Sequence, residues 1–459
     1  MKFQKLMLPV VLSLLFGAAA PPMATAAQDI AGLSVNAATP LERRIDEAFL
    51  EAFPLYEMAR TRYNSVVHPL NPSPLLPNGT PVNRRALIDH TSRGVTTPNN
   101  DTLYSASWLD LHYTPVRIQL PKVDAGRYWS LALLDIFTNN FAILGSRTDG
   151  DGPLDVTVVG PNWQGATPAG RVVRAPSNDV QFLVRTLVNS AADASTVHRL
   201  QDGIKITPVV AAAGLLPQWV VPSSSTDPVN FLAVVNEMLS RNPPPSTEAP
   251  HFKDWVDLGL GHGADAFVRT SPEVQAAWRQ RLPVLHDFLK QGLQYGARLV
   301  NGWSIPSPLV GNFGTDYALR ATVAFGALSA LDASEAVYLN LESDPSGAPL
   351  DGRKPWKLVV PPIQAKAFWS LSMYEKESDG RLFFAANPLN RYTIGDRTEG
   401  IQKGADGNIE LLLQHQPPAD TRNWLPTPAG PYAITLRAYL PSDAMRRGEA
   451  PLPKIVPAN

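Results

Sequence analysis

Asp101 and Tyr104 lie close together in the run Pro98-Asn99-Asn100-Asp101-Thr102-Leu103-Tyr104, a carboxylate able to take a proton beside a phenol able to give one. Arg93, Asp135 and Arg147 are the charged residues that could complete a pocket with them. An arginine flanking Asp101 would keep it ionised, so that it could bind a ligand or act as a base. Asp101, Tyr104 and Arg147 are thus the catalytic candidates, with Asp135 as a ligand contact. The same run has a plainer use. Asn and Asp side chains favour bonds to nearby backbone, so Asp101 can fix the entry to a strand while Tyr104 packs.

A second group, Trp369, Tyr374, Asn387, Asn390, Arg391, Tyr392 and Trp424, combines flat rings with amide and guanidinium donors. Rings cover the apolar face of a sugar, an aromatic acid or another polar organic molecule, and Asn and Arg fix its orientation. The same mixture also builds ordinary sandwich cores. Arg147, Arg185 and Arg391 fall in strand-rich, aromatic stretches, and a guanidinium buried there needs either a carboxylate partner or an anionic ligand. Ligand contacts are therefore sought at Asp135, Arg185, Trp369, Tyr374, Asn390, Arg391 and Trp424.

The chain has no Gly-x-Ser-x-Gly elbow, no Ser-x-x-Lys pair, no His-Glu-x-x-His helix and no Walker loop. Gly259-Leu260-Gly261-His262-Gly263-Ala264 fits a loose dinucleotide pattern, but no strand leads into it. His251 and His262 are near each other, with Asp254, Asp257 and Asp265 around them, yet zinc needs three or four donors converging at about 2 Å. Asp149, Asp151 and Asp155 alternate as in a calcium loop without its closing glutamate. Neither a metal nor another cofactor is expected.

These groups must be held by elements of two kinds. Leu41 to Arg60 has helical apolar spacing, with Pro54 as a place for a kink. From Ser105 to Leu187 short β-prone runs (116–120, 128–134, 141–144, 156–159, 180–187) alternate with Asp/Gly/Pro turns, the pattern of a sandwich. Between 227 and 330 the spacing turns helical again, with Asp227-Pro228 and Ser271-Pro272 as start signals and a third segment from Thr315 to Leu328. Strands return at 357–360, 368–373, 409–414 and 432–440. No internal repeat is apparent.

Four blocks carry a resemblance: Thr96 to Leu111, Arg127 to Gly150, Ala367 to Thr398 and Asn423 to Ser442. They resemble bacterial exported proteins that pair domain of unknown function 1254 at the N-terminus with domain of unknown function 1214 at the C-terminus. The resemblance implies a mainly β fold with a helical middle: an immunoglobulin-like sandwich, a helical module and a C-terminal jelly-roll sandwich. It implies no reaction. The expected divisions are a signal peptide over 1–26, a helix and sandwich over 41–200, helices over 201–334 and the jelly roll over 335–459.

Lys2 and Lys5, the apolar run Leu6 to Ala20 and Ala24-Thr25-Ala26 form a cleavable export signal, which predicts a periplasmic or secreted protein. The apolar run is too short to span a bilayer, so no integral membrane protein is expected. The 459-residue chain contains no cysteine, which suits an oxidising compartment. Without Lys2 and Lys5 the 40 basic residues become 38 against 41 acidic ones, a charge of −3, and nothing in it attracts nucleic acid.

Three functions fit these features. One is a hydrolase or lyase acting on a small polar or anionic organic molecule at the junction of the β domains. The second is a noncatalytic module that binds a ligand or envelope component. The third is a jelly-roll homo-oligomer assembled edge to edge.

Overall fold

Strands dominate both ends of the chain. Those before residue 210 are β1 (Val82–Asn83), β2 (Thr102–Asp110), β3 (Val116–Leu120), β4 (Trp129–Leu134), β5 (Asn140–Gly145), β6 (Leu154–Val159), β7 (Val172–Arg174), β8 (Asp179–Leu187) and β9 (Lys205–Pro208). Those after residue 297 are β10 (Arg298–Val300), β11 (Trp303–Ile305), β12 (Ala336–Leu341), β13 (Trp356–Val360), β14 (Ala365–Lys376), β15 (Leu382–Phe383), β16 (Thr393–Gly395), β17 (Ile409–Gln414), β18 (Trp424–Pro426), β19 (Tyr432–Pro441) and β20 (Lys454–Pro457). The computed structural model describes residues 37–68, 75–93, 96–211, 214–261, 263–292, 296–378 and 380–458. The expected signal peptide at 1–26 lies outside them, as does His262.

Alternating side chains give each sheet one apolar face to bury. In the first sandwich β1-β2-β8-β4-β5 packs on β7-β6-β3-β9 around Leu109, Leu131, Phe182, Ile118 and Val156. In the second, β10-β11-β12-β19-β14-β15, with β16 also on β14, packs on β18-β17-β13-β20 around Leu339, Leu371, Leu436, Leu358 and Leu411. The mainly β fold with a helical middle is as expected.

The two sandwiches share one plan. β2, β3, β4, β5, β6, β7, β8 and β9 correspond in order to β12, β13, β14, β16, β17, β18, β19 and β20. The pairs β2·β8, β4·β8, β4·β5, β3·β6 and β3·β9 are antiparallel, β6·β7 is parallel, and each counterpart pair has the same sense. Register is kept too: Ser130 lies opposite Gly145 and Arg185, and Ser370 opposite Gly395 and Arg437.

Aligned this way, the sequences agree locally. Tyr128-Trp129-Ser130-Leu131 matches Phe368-Trp369-Ser370-Leu371, and Gly145-Ser146-Arg147-Thr148-Asp149-Gly150 matches Gly395-Asp396-Arg397-Thr398-Glu399-Gly400. The chain therefore carries an internal repeat that the sequence reading missed, because β15 and its loops are inserted between the two motifs of the second copy. Both leading glycines have one cause: a Cβ at Gly145 or Gly395 would strike the carbonyl of Trp129 or Trp369 on the neighbouring strand. The Gly N–H donates to the motif threonine in each copy, Thr148 at 3.0 Å and Thr398 at 2.9 Å.

Helices Pro228–Arg241, Pro272–Gln291 and Tyr317–Gly326 pack with the long helix Pro40–Val66 around Phe49, Phe53, Phe231, Trp278 and Leu285. Asp227 and Ser271 cap their helices as the sequence predicts, accepting from the N–H groups of Val229 and Val274. Pro54 lies within the unbroken first helix. Buried ion pairs fasten the module: Arg281 holds Asp46 at 2.7 Å, and Arg62 and Arg241 hold Asp179 of β8 at 3.2 and 2.7 Å. Among the described residues no helix is long and apolar enough to cross a membrane.

Candidate functional site

The sheet of β2, β8 and β4 and the sheet of β12, β19 and β14 turn their outer faces toward each other. Trp108, Tyr128, Ala132, Leu134 and Leu187 from the first form one apolar cluster with Ala336, Phe368 and Tyr439 from the second. Because side chains alternate along a strand, residues in step with these also reach the junction. They make a matching polar row in each sheet: Tyr104, Arg185 and Ser130 across β2, β8 and β4, and Tyr338, Arg437 and Ser370 across β12, β19 and β14.

The segments leading into β2 and β12 each cross to the other sandwich, where each places a carboxylate against an arginine and a hydroxyl. Asp101, just before β2, accepts from Arg397 Nη2 at 2.6 Å and from Ser370 Oγ at 2.6 Å. Glu335, just before β12, accepts from Arg147 Nε at 2.8 Å and from Tyr128 Oη at 2.8 Å. Arg147 and Arg397 are counterparts in the repeated motif, so the two ion pairs are reciprocal, as an approximate two-fold axis between the halves requires. Further back, the Thr97 carbonyl accepts from Arg437 Nη2 at 3.0 Å and the Ser329 carbonyl from Arg185 Nη2 at 2.8 Å. Both residues have positive φ, 52° at Thr97 and 67° at Ser329, a conformation that disfavours side chains other than glycine.

The symmetry fails at the two arginines. Arg437 also donates to Ser372 Oγ at 2.7 Å, to Tyr374 Oη at 2.6 Å and to the Pro98 carbonyl at 3.2 Å. The register places Ala132 and Leu134 at the positions matching Ser372 and Tyr374. Among the described residues Arg185 keeps the Ser329 carbonyl alone, and its Nε and Nη1 are buried with no hydrogen-bond partner there. It is 5% exposed, with its guanidinium 5.4 Å from the centre of the Tyr104 ring. Neither Arg185 nor Arg437 has a carboxylate within ion-pair distance among the described residues, so two positive charges stand between the sheets without direct counterions.

Phenols surround this charge. Burial pushes the Tyr338 hydroxyl up and the Arg185 guanidinium partly offsets it, while burial holds Tyr128 and Tyr439 far above the usual range. All three stay protonated; Tyr128 spends its proton on Glu335, which leaves Tyr338 and Tyr439 to donate to an anion. Tyr439 Oη accepts from Asn99 Nδ2 at 2.8 Å, which leaves its proton for another acceptor. Burial also raises Glu335, against the pull of Arg147.

Two family models match the chain, a protein of unknown function, DUF1254, over residues 79–208 and a protein of unknown function, DUF1214, over residues 335–443. The chain belongs to the proteins that pair these two domains. Both polar rows and both reciprocal ion pairs fall within the DUF1254 and DUF1214 spans. Among solved structures the chain is similar to the VPA0106 protein from Vibrio parahaemolyticus, with 23% identity and a TM-score of 0.72 over 91% of this chain and 100% of that one. That likeness is one of fold. An uncharacterized protein from Burkholderia cenocepacia also matches, with 14% identity and a TM-score of 0.47 over 94% of this chain and 99% of that one. No curated protein matches.

Of the residues singled out in the sequence, Asp101, Tyr104, Arg147 and Arg185 from the DUF1254 span and Tyr374 from the DUF1214 span meet at the junction. Asp135 instead closes the turn after β4, accepting from the N–H groups of Phe137 and Asn139 at 2.9 Å each, and burial raises it to about 6. Trp369 points into the core of the second sandwich. Arg391 donates to the carbonyls of Thr421 at 2.6 Å and Trp424 at 2.9 Å, with Asn390 beside it, so these three gather around the loop before β18. Arg93 pairs with Glu377. The sequence reading missed Arg397, the arginine that does reach Asp101, and with it Glu335, Tyr338, Arg437 and Tyr439. The repeated Gly-x-Arg-Thr-x-Gly motif was the signal that could have found the first.

Asp110, His112 and Asp179 are close enough to hold an ion. Their donors are already engaged. His112 Nδ1 meets Asp110 at 2.6 Å and Nε2 meets the Arg241 carbonyl at 2.7 Å, while burial of Asp179 is overcome by Arg62 and Arg241, which hold its carboxyl low. The cluster ties the helices to β8.

Proposed function

We propose that the junction between the two sandwiches binds a small anionic organic molecule, with Arg185 as the anchor and the phenols of Tyr104, Tyr338 and Tyr439 around it. The observation that carries this reading is the buried Arg185 guanidinium, whose Nε and Nη1 have no acceptor among the described residues, whereas its counterpart Arg437 donates from both Nη1 and Nη2. A cation desolvated without a counterion is costly, and a carboxylate or similar anion would supply both the charge and the missing acceptors. The aromatic lining suits a flat apolar remainder. Thermal melting of the purified protein with benzoate, phenylacetate, succinate and inorganic phosphate tests the reading. One of these is expected to raise the melting temperature of wild type and not of Arg185→Met. Equal shifts in both proteins, or no shift with any of them, would contradict it.

A hydrolase or lyase at the same place is a second reading, favoured by Tyr338. Burial raises its phenol, and the guanidiniums of Arg185 and Arg437 partly offset that, so the protonated hydroxyl is placed to serve as an acid whose developing charge two cations would face. Asp101 is less suited to that role because both of its oxygens are already bonded. Mass spectrometry of the bound compound after prolonged incubation separates the two readings: recovery of unchanged compound leaves binding alone. An exported location and a homo-oligomeric state belong to the same proposal, and cell fractionation and light scattering of the mature protein test them.

A further inference from the structure

Resting on the anion-binding reading above, we infer that the Ser329 carbonyl is a built-in stand-in for a ligand oxygen, and that a carboxylate takes Arg185 by displacing the peptide at Ser329. Arginines elsewhere in this protein grip carboxylates by one of two edges, Nε with Nη2 or, as Arg44 does with Asp257, Nη1 with Nη2, and both edges include Nη2. Arg241 holds Asp179 the first way at 2.8 and 2.7 Å, and Arg281 holds Asp46 at 2.8 and 2.7 Å. On Arg185 the Nη2 half of either edge is filled by the Ser329 carbonyl at 2.8 Å, and the Nε and Nη1 halves have no partner among the described residues. A two-oxygen ligand can use a whole edge only when the carbonyl leaves.

The segment is built to let it leave. Ser329 holds φ at 67° without being glycine, so moving its peptide relieves a disfavoured conformation. Among the described residues its side chain is fastened by one bond, Oγ to Gln181 Oε1 at 2.7 Å. Leu331, fully buried, anchors the chain just beyond, which confines the movement to the peptides around Ser329. The matching residue on the other side, Thr97, is not free to do the same, because Arg437 is also held by Pro98, Ser372 and Tyr374.

The absence of cysteine permits a direct test, since Ser329→Cys carries the one thiol in the protein. Maleimide labelling of that thiol is followed with and without benzoate and succinate, and the affinity of both compounds is measured in wild type, Gln181→Ala and Arg185→Met. The inference expects at least one of them to speed labelling several-fold and to bind Gln181→Ala about five-fold more tightly, the worth of one lost fastening hydrogen bond. It expects neither effect when Arg185→Met is added. Arg185-dependent binding with unchanged labelling and unchanged affinity in Gln181→Ala would overturn the displacement and leave the binding reading standing. No Arg185-dependent binding of either compound would remove the binding reading, and this inference with it.

Discussion

Arg185 and Arg437 occupy the same position in two copies of one strand arrangement, yet only Arg437 is supplied with acceptors by its own sheet. The second copy thus serves as an internal control for the first. Where it places Ser372 and Tyr374, the first places Ala132 and Leu134, and the difference leaves Arg185 Nη1 without the acceptor that Ser372 gives Arg437 Nη1, and Arg185 Nη2 with the Ser329 carbonyl alone.

Restoring an acceptor at Nη1 should lessen the demand of Arg185 for a ligand. Ala132→Ser puts a hydroxyl where Ser372 meets Arg437, and it is expected to stabilise the protein by about 1 kcal/mol, the net worth of one hydrogen bond to a charged group in a site that must accommodate an added oxygen. The same change should weaken binding of a carboxylate about ten-fold. Urea denaturation and calorimetric titration of the variant check the two effects together.

The reciprocal ion pairs should differ in cost. Asp101 is buried and Arg397 is 22% exposed, whereas Arg147, the partner of Glu335, is 36% exposed and can be rehydrated. Asp101→Asn is expected to destabilise by about 2 kcal/mol and Glu335→Gln by about 1 kcal/mol, since Arg397 is the less exposed of the two arginines and the harder to rehydrate. Denaturant midpoints at pH 7 measure both.

Gly145→Ala and Gly395→Ala should behave alike. Each would drive a Cβ into the carbonyl of a tryptophan on the adjacent strand, and strands cannot part without losing their ladder. A loss of about 2–4 kcal/mol is expected for each, the range for backbone clashes and overpacking in a core. Differential scanning calorimetry that found one change tolerated and the other not would argue against equivalent roles for the two motifs.

The helical module carries a pH response. Burial raises the Glu51 carboxyl to about 7, partly offset by Arg320, with Glu248 and His251 close by. A carboxyl whose pKa is higher folded than unfolded binds its proton more tightly in the folded state, so this group's contribution is greatest at acid pH and is lost as pH rises from about 4.5 to about 7. Glu51→Gln should therefore leave stability nearly unchanged at pH 4.5 and raise it at pH 8 by about 1–3 kcal/mol. Urea melts at the two pH values check the sign.

Much of the architecture was legible because it rests on local chemistry. Side-chain caps ahead of Pro228 and Pro272, Asp/Gly turns between β-prone runs and apolar spacing all act within a few residues, and the elements lie where those signals fall. The site was legible only in part, because its decisive contacts join residues far apart in sequence. Asp101 was picked out, but its partner Arg397 lies 296 positions away, and no local pattern links them. Arg391, near the same aromatic block, ties loop carbonyls together instead, a use of arginine that looks identical in sequence. Arg185 could be read as buried from its flanking apolar residues. That it lacked acceptors depended on Ala132 and Leu134 across the strand pair.

Isothermal titration calorimetry of benzoate and succinate into wild type and Arg185→Met at low salt tests the central claim most directly. The account predicts saturable, one-to-one binding of at least one compound to wild type and a loss of at least about a hundred-fold in Arg185→Met, the cost of removing a buried charge-assisted anchor. Binding of equal strength to both proteins, or none to either, would contradict it.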